Sequence, residues 1–330
     1  MRKALAIISI LGVLSSAMFF GEAIAYTLEE PEVVPIYIKA DGSIEPSTAP
    51  IQHTESIYTL TDNIKNHNIT IQCNNIILDG AGFNLQGPGR EKYNIAAVNM
   101  ACTNVTVFNF HIFDWNIGVL GTYDNNTIQS NIFSNNIHDV AVYANNYMIT
   151  GNHIGPERIV GNNITVSQNQ IALGAYECGF WITNCTALKI VSNNITFDKQ
   201  TTFFVSTQNS GFQVYHNNFL NIEEFSIGIL VYPRHASSYW DNGVEGNYWS
   251  DYADRYPSAR EIGTSGVGDI QYVSGSPSEV IDRYPLIKPY NYSMPQPPVI
   301  AELNWMVLPL LFTIMVFFAL VVKTKTLKKP

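Results

Sequence analysis

Charge is scarce in this chain. Asp, Glu, Lys and Arg together make 14% of its 330 residues, against about 25% in an average soluble domain. The net charge is −9, with 18 Lys and Arg against 27 Asp and Glu. No basic stripe lies outside the last eight residues. Phosphate binding needs clustered cations, so nucleic acid is excluded as a partner. Cysteine is also sparse. Cys73, Cys102, Cys178 and Cys185 show no C-x-x-C spacing, which argues against a zinc or thiol-redox motif. As disulfide candidates they allow three full pairings, and buried free thiols remain an equal alternative.

Soft and imidazole ligands are thinly spread as well. His53, His67, His111, His138, His153, His216 and His235 show no H-x-x-H or H-x-x-x-H pair, and Met100, Met148 and Met294 stand alone. Copper sites need such groups close together, so no metal site and no cofactor is expected.

Long apolar runs occur only at the two ends. Arg2 and Lys3 precede the run Ala4–Phe20, and Ala23-Ile24-Ala25 follows. A basic start, a short apolar stretch and a small-x-small pattern read as a secretory signal over 1–25. Trp305–Val322 spans 18 uncharged residues, and Lys323, Lys325, Lys328 and Lys329 come next. That length suits a transmembrane helix over 305–322. The lysines place the 323–330 tail in the cytoplasm and the bulk of the chain outside. The expected localisation is therefore the cell membrane, single-pass. Five prolines in Pro285–Pro298 suggest a semi-rigid spacer over 287–304.

Asparagine, by contrast, is abundant: 33 residues, of which 31 fall between Asn63 and Asn247. They recur in a frame of apolar, two residues, Asn, one residue, apolar. Copies are centred on Asn74, Asn131, Asn152, Asn169, Asn193, Asn217 and Asn247, while Phe110 takes the Asn place in one window. Frame positions from 110 to 217 are 21, 21, 17, 24 and 24 residues apart. Such a period marks a solenoid, and short Val, Ile, Phe and Tyr runs make its units strands. The expected fold is all-β: a right-handed parallel β-helix over 66–235, with an N-terminal cap over 26–65 and a C-terminal capping module over 236–286. About eight coils would stack to roughly 40 Å. Asn suits the sharp corners because it tolerates left-handed backbone. Stacked amides about 4.8 Å apart would form a structural ladder.

Trp240-Asp-Asn-Gly-Val-Glu-Gly-Asn-Tyr-Trp-Ser-Asp-Tyr252, Gly266-Val-Gly-Asp269 and Ile281-Asp-Arg-Tyr-Pro-Leu286 resemble the closing module of NosD-like β-helix proteins. Leu78-Asp-Gly-Ala-Gly82 resembles their opening coil, so the resemblance covers about residues 50–290. It implies an archaeal-type surface β-helix. The family name comes from a protein linked to copper supply, and the wider group includes carbohydrate-binding proteins and sugar hydrolases. Fold transfers better than function along such a likeness.

Three chemistries can be weighed on the residues. Sugar cleavage needs converging carboxylates about 5–10 Å apart, but Asp79, Asp114, Asp139 and Asp198 fall at different frame offsets, and Glu157-Arg158 and Glu223-Glu224 read as turn charges. Glycan binding has candidates in Tyr239, Trp240, Tyr248, Trp249 and Tyr252, which would otherwise pack as a lid over the last coil. Calcium has Asp241, Asp251, Asp254, Asp269 and Asp282 to draw on, yet Gly263–Asp269 holds one carboxylate only, too few for its oxygen shell. Sequons at Asn68, Asn104, Asn125, Asn163, Asn184, Asn194 and Asn291 are glycosylation candidates in an exported chain. The expected role is a membrane-anchored structural, adhesive or glycan-binding module without catalysis, whose partner is a surface glycan or an envelope protein. A polysaccharide hydrolase or lyase comes second, and a copper-delivery protein third.

Overall fold

The computed structural model describes residues 32–91, 95–174, 180–197, 202–207, 212–222, 228–232, 238–274 and 280–291, with the backbone alone for 184, 202–207, 228–232 and 238–239. The signal segment and the expected membrane helix lie outside the described residues. Among those described, no helix is long and apolar enough to cross a membrane.

The chain winds as an all-β parallel solenoid with three faces, here sheets A, B and C. Among the described residues sheet A has ten strands, and sheets B and C have nine each. Each turn places one short strand in B, one in C and one in A. Seven such triplets run from Ile76–Asp79, Asn84–Gln86 and Ala96–Met100 to Gln213–Tyr215, Asn218–Leu220 and Gly228–Tyr232.

Alternation along these strands sends one residue inward and the next outward. On sheet B the inward column is Leu78, Val107, Ile128, Ile149, Val166, Ile190 and Val214, each 0% exposed. Each such side chain contributes about 1.5–3 kcal/mol by leaving water. In the copies from Asn131 to Asn217 the frame's two apolar positions are thus core residues on sheets B and C.

The asparagines between them occupy the B-to-C corner, where they form a continuous buried ladder. Backbone N and Nδ2 of Asn131 both donate to Oδ1 of Asn152, at 2.9 and 3.1 Å. The same pair of bonds runs from Asn152 to Asn169, Asn169 to Asn193, Asn193 to Asn217 and Asn217 to Asn247. Each Nδ2 also donates to a carbonyl of the preceding coil, such as Ile128 O from Asn152 and Val166 O from Asn193. One amide therefore ties three coils together, and every one of these six residues is 0% exposed. Their backbone is not left-handed, against expectation. Positive φ falls instead on the residue before five of the six: Ser130, Gly151, Gln168, Ser192 and His216.

Asn74 does not join this ladder. It lies at the A-to-B corner, where its Oδ1 accepts from Thr103 N at 2.9 Å. In that first coil the B-to-C corner is the Asp79-Gly80-Ala81-Gly82 turn. Asp79 Oδ1 accepts from Ala81 N, and a Cβ at Gly80 would meet the Phe110 ring at 2.5 Å. Phe110 packs on that glycine, which explains why it replaces Asn in the frame. Its own backbone N starts the ladder by donating to Asn131 Oδ1 at 3.1 Å.

The ends differ from the expected boundaries. Ile36–Ile38 already pairs in parallel with Ile69–Ile71, so solenoid pairing reaches back into the region expected to be cap. Two antiparallel pairings, Ile36–Ile38 with Ile44–Glu45 and Ile51–Thr54 with Ile57–Leu60, close that edge. At the other end Tyr248–Trp249 pairs in parallel with Asn218–Leu220, past residue 235. A small sheet of Ser238–Tyr239, Tyr272–Ser274 and Val280–Asp282 follows. Residues beyond 286 are not a free spacer at first. Tyr290 N donates to Asn218 Oδ1 at 2.6 Å, and the Tyr290 ring stacks on His216 at 4.1 Å.

Candidate functional site

The aromatic cluster of the closing region is internal. Trp249 stacks between Phe219 at 4.3 Å and Tyr272 at 4.1 Å, each within 10° of parallel. Trp240 lies 5.9 Å from Trp249. Trp240, Trp249 and Tyr252 are at most 4% exposed. Both faces of Trp249 are taken by protein rings, so no sugar ring can stack there. A cleft of about 250 Å³ runs past Tyr248, Trp249, Tyr252 and Tyr256, but both faces of Trp249 are closed to it. The Tyr239 side chain lies outside the described residues.

Asp282 sits at the foot of this cluster. Its Oδ2 accepts from Asn247 N at 2.7 Å and from Trp249 Nε1 at 2.9 Å, and its Oδ1 from Tyr284 N at 3.1 Å. It is the acceptor on which the asparagine ladder ends. Burial outweighs these donors and pushes its pKa up to about 7. A Cβ at Gly246 would fall 1.8 Å from Asp282 Oδ1, so this position admits glycine alone.

Exposed aromatics lie elsewhere: Tyr123 at the A-to-B corner, and two more on the outer face of sheet A. Strand alternation there turns Tyr143, Arg158 and Trp181 outward while Val142, Ile159 and Ile182 fill the core. Tyr143 is 43% exposed and Trp181 37%. Arg158 and Trp181 are register partners on neighbouring coils. The Arg158 guanidinium lies over the Tyr143 ring, 5.7 Å from its centre, a cation–π arrangement. Arg158 has no ion-pair partner among the described residues. Tyr143 and Trp181 are two coils apart and offset by two residues, which puts their Cα atoms about 12 Å apart. Sequence reasoning missed this strip because no frame marks outward positions. The alternation within Val140-Ala-Val-Tyr143 and Phe180-Trp-Ile-Thr183 was its only signal.

Beside the strip, at the C-to-A corner, lies a groove of about 330 Å³ lined by Arg90, Ser134, Asn135, His153, Gln170 and Asp139, among others. Asp139 accepts from Asn136 Nδ2 at 2.9 Å and from Gly155 N at 2.5 Å. Glu157 is not a turn charge. It begins the strand Glu157–Val160, points inward in register with Val140 and Phe180, and is 0% exposed. Neither of its oxygens has a hydrogen-bond partner. Burial, then the nearby Asp139 charge, pushes its pKa well above the ordinary carboxyl value. The two acids come together, but only Asp139 faces the groove. Glu223 and Glu224 lie outside the described residues.

The remaining candidates are dispersed. His111 and His153 share one outward column with Ile132 between them. No group of three His, Cys, Asp or Glu suited to a metal occurs among the described residues. In the closing region Asp241 is clamped by Arg283, Asp251 by Arg255, and Asp269 accepts from Arg260 N. Among the sequons, Asn104 and Asn163 commit Nδ2 to Asn75 and Asn146, Asn125 accepts from Asn146, and Asn194 accepts from Asn218. Asn68 is half-buried and Asn291 exposed. The Asn184 side chain and Cys178 lie outside the described residues. Cys73, Cys102 and Cys185 are free thiols.

No family model, no curated protein and no solved structure matches the chain, so the likeness to NosD-like proteins rests on the quoted residues alone.

Proposed function

We propose that this protein is a membrane-anchored surface solenoid that holds polysaccharide on the outer face of sheet A without cleaving it. The observation that carries this reading is the strip Tyr143–Arg158–Trp181. Two large outward rings on a rigid sheet offer apolar platforms, and a solenoid presents them in line for a long chain. The adjoining groove supplies polar groups for ring hydroxyls. The apolar ends of the sequence support export and anchoring. The Trp240–Tyr252 and Leu78–Gly82 stretches support a place among NosD-like surface proteins. Cleavage is less well supported, because Glu157 is sealed inside the solenoid and cannot touch substrate.

The test is native affinity electrophoresis of the full-length, detergent-solubilised protein in gels cast with envelope polysaccharides. Retardation by at least one polymer is expected, with affinity reduced about tenfold or more by Trp181→Ala with Tyr143→Ala, equivalent to roughly 1.4 kcal/mol. Retardation that survives the double change, or is absent throughout, would sink the reading. A rise in reducing ends during the run would replace it by an enzymatic one.

A further inference from the structure

We infer that oxidation joins Cys73 and Cys102, free thiols in the structure, in a disulfide that staples two neighbouring coils at the A-to-B corner. Ile69 and Ile71 pair in parallel with Val98 and Met100. Ala101 N carries the pairing on by donating to Ile71 O at 3.0 Å. Two residues past Ile71 and Met100, Cys73 and Cys102 therefore occupy equivalent places on adjacent coils. Just beyond them, Thr103 N and Asn104 Nδ2 bond to Asn74 and Asn75, each at 2.9 Å, which locks that register. Cys102 Sγ lies 3.0 Å from the carbonyl oxygen of Cys73 itself. Neighbouring strands are about 4.8 Å apart, inside the roughly 4.4–6.8 Å Cα separation that a disulfide spans.

The other partner among the described residues is out of reach. Stepping through Met100, Gly121, Val142, Ile159 and Ile182 puts Cys185 four coils from Cys102, about 19 Å away. The geometry thus selects one pairing where the sequence leaves three.

The chemistry has a direction. Cys73 is half-exposed and Cys102 buried. Burial, and then the charge of Cys73, pushes the Cys102 thiol up to about 12, so the half-exposed Cys73 sulfur is the one that a small disulfide reaches first. With a small disulfide such as oxidised glutathione as oxidant, Cys73 forms a mixed disulfide and expels one glutathione thiolate. That also removes the Cys73 charge beside Cys102. The Cys102 sulfur then attacks the Cys73 sulfur and expels the second glutathione thiolate. The two thiol protons leave with the two glutathiones, whose disulfide is reduced as the protein pair is oxidised.

The test starts from full-length protein reduced with dithiothreitol, desalted and exposed to oxidised glutathione under native conditions. Free thiols are then capped with N-ethylmaleimide after unfolding, and peptides are mapped by mass spectrometry without reduction. The expected product is a peptide pair joined through Cys73 and Cys102, with Cys102→Ser instead retaining glutathione on Cys73. A stable glutathione adduct on Cys73 of the native chain, with Cys102 capped as a free thiol, would overturn the staple. So would Cys102 joined to Cys178 or Cys185.

Discussion

The solenoid has two asparagine-rich corners, and they use different properties of the same residue. At the B-to-C corner the six ladder asparagines are sealed from water, and their value lies in the side-chain amide. At the A-to-B corner Asn75, Asn104, Asn125, Asn146 and Asn163 have φ between 55° and 65°, and their value lies in tolerating left-handed backbone. Their amides do stack, as from Asn146 to Asn125 and from Asn163 to Asn146, both 2.9 Å. Those bonds are exposed and exchange with water. Burial decides which property matters, because an unmade hydrogen bond is costly only where water cannot replace it.

The largest test of this contrast is Asn193→Ala. Asn193 Oδ1 takes two donors from Asn169, while its Nδ2 serves Val166 O, Val191 O and Asn217 Oδ1. Truncation removes the acceptor that the Asn169 N–H and amide share, and the donor that serves those three oxygens. With each buried orphan at about 1–3 kcal/mol, a loss of about 4 kcal/mol is expected, read as a lowered urea midpoint. A loss below about 1 kcal/mol would mean that water enters the corner and that the two corners are energetically alike.

The repeat itself was legible because coil stacking forces one spacing on every layer: Ile128, Asn131 and Phe133 recur wherever core, corner and core recur. What the frame could not show was which corner a copy belonged to. Asn74 satisfies the pattern, yet Ile71 is on sheet A and Ile76 on sheet B. Outward residues were hidden for a related reason. Tyr143 and Trp181 are free to vary from coil to coil, so no period marks them. Glu157 misled because a charged residue after Gly155-Pro156 reads as a turn, whereas that turn is so tight that Glu157 is already in the strand. The closing aromatics were visible as a cluster, but only the Phe219–Trp249–Tyr272 stack shows which faces are occupied.

The buried ladder also ends on a titratable group sealed inside the solenoid, whereas Asp124, on which the Asn162–Asn145 run of the A-to-B corner ends, is only half-buried. Asp282 has a folded pKa of about 7, above its ordinary 3.8. The folded state therefore holds this proton more tightly than the unfolded chain. Its contribution is fully present below about pH 4 and is lost as pH rises through about 7, at roughly 1 kcal/mol per pH unit within that window. Thermal unfolding followed by tryptophan fluorescence, which reports Trp240 and Trp249, should show a midpoint that falls from pH 5 to pH 7. In Asp282→Asn that slope should flatten, although the variant starts lower because an amide cannot accept from every donor that faces it. A slope unchanged by the substitution would assign the pH dependence to other acids of the closing region, such as Asp251, whose pKa burial also raises.

The smallest effect separates the two uses of asparagine most cleanly. Asn146 carries φ 57° at the exposed corner, donates to Asn125 and accepts from Asn163. If its amide bonds mattered there as they do in the buried ladder, Ala and Gly would destabilise equally, since both remove them. If backbone conformation is what counts, Asn146→Ala should cost about 1–2 kcal/mol for forcing a Cβ into the left-handed region. Asn146→Gly should then stay within about 0.5 kcal/mol of the parent, because glycine adopts that region freely. Paired urea melts of the two variants read this difference directly, and equal midpoints would return the exposed corner to the same physics as the buried one.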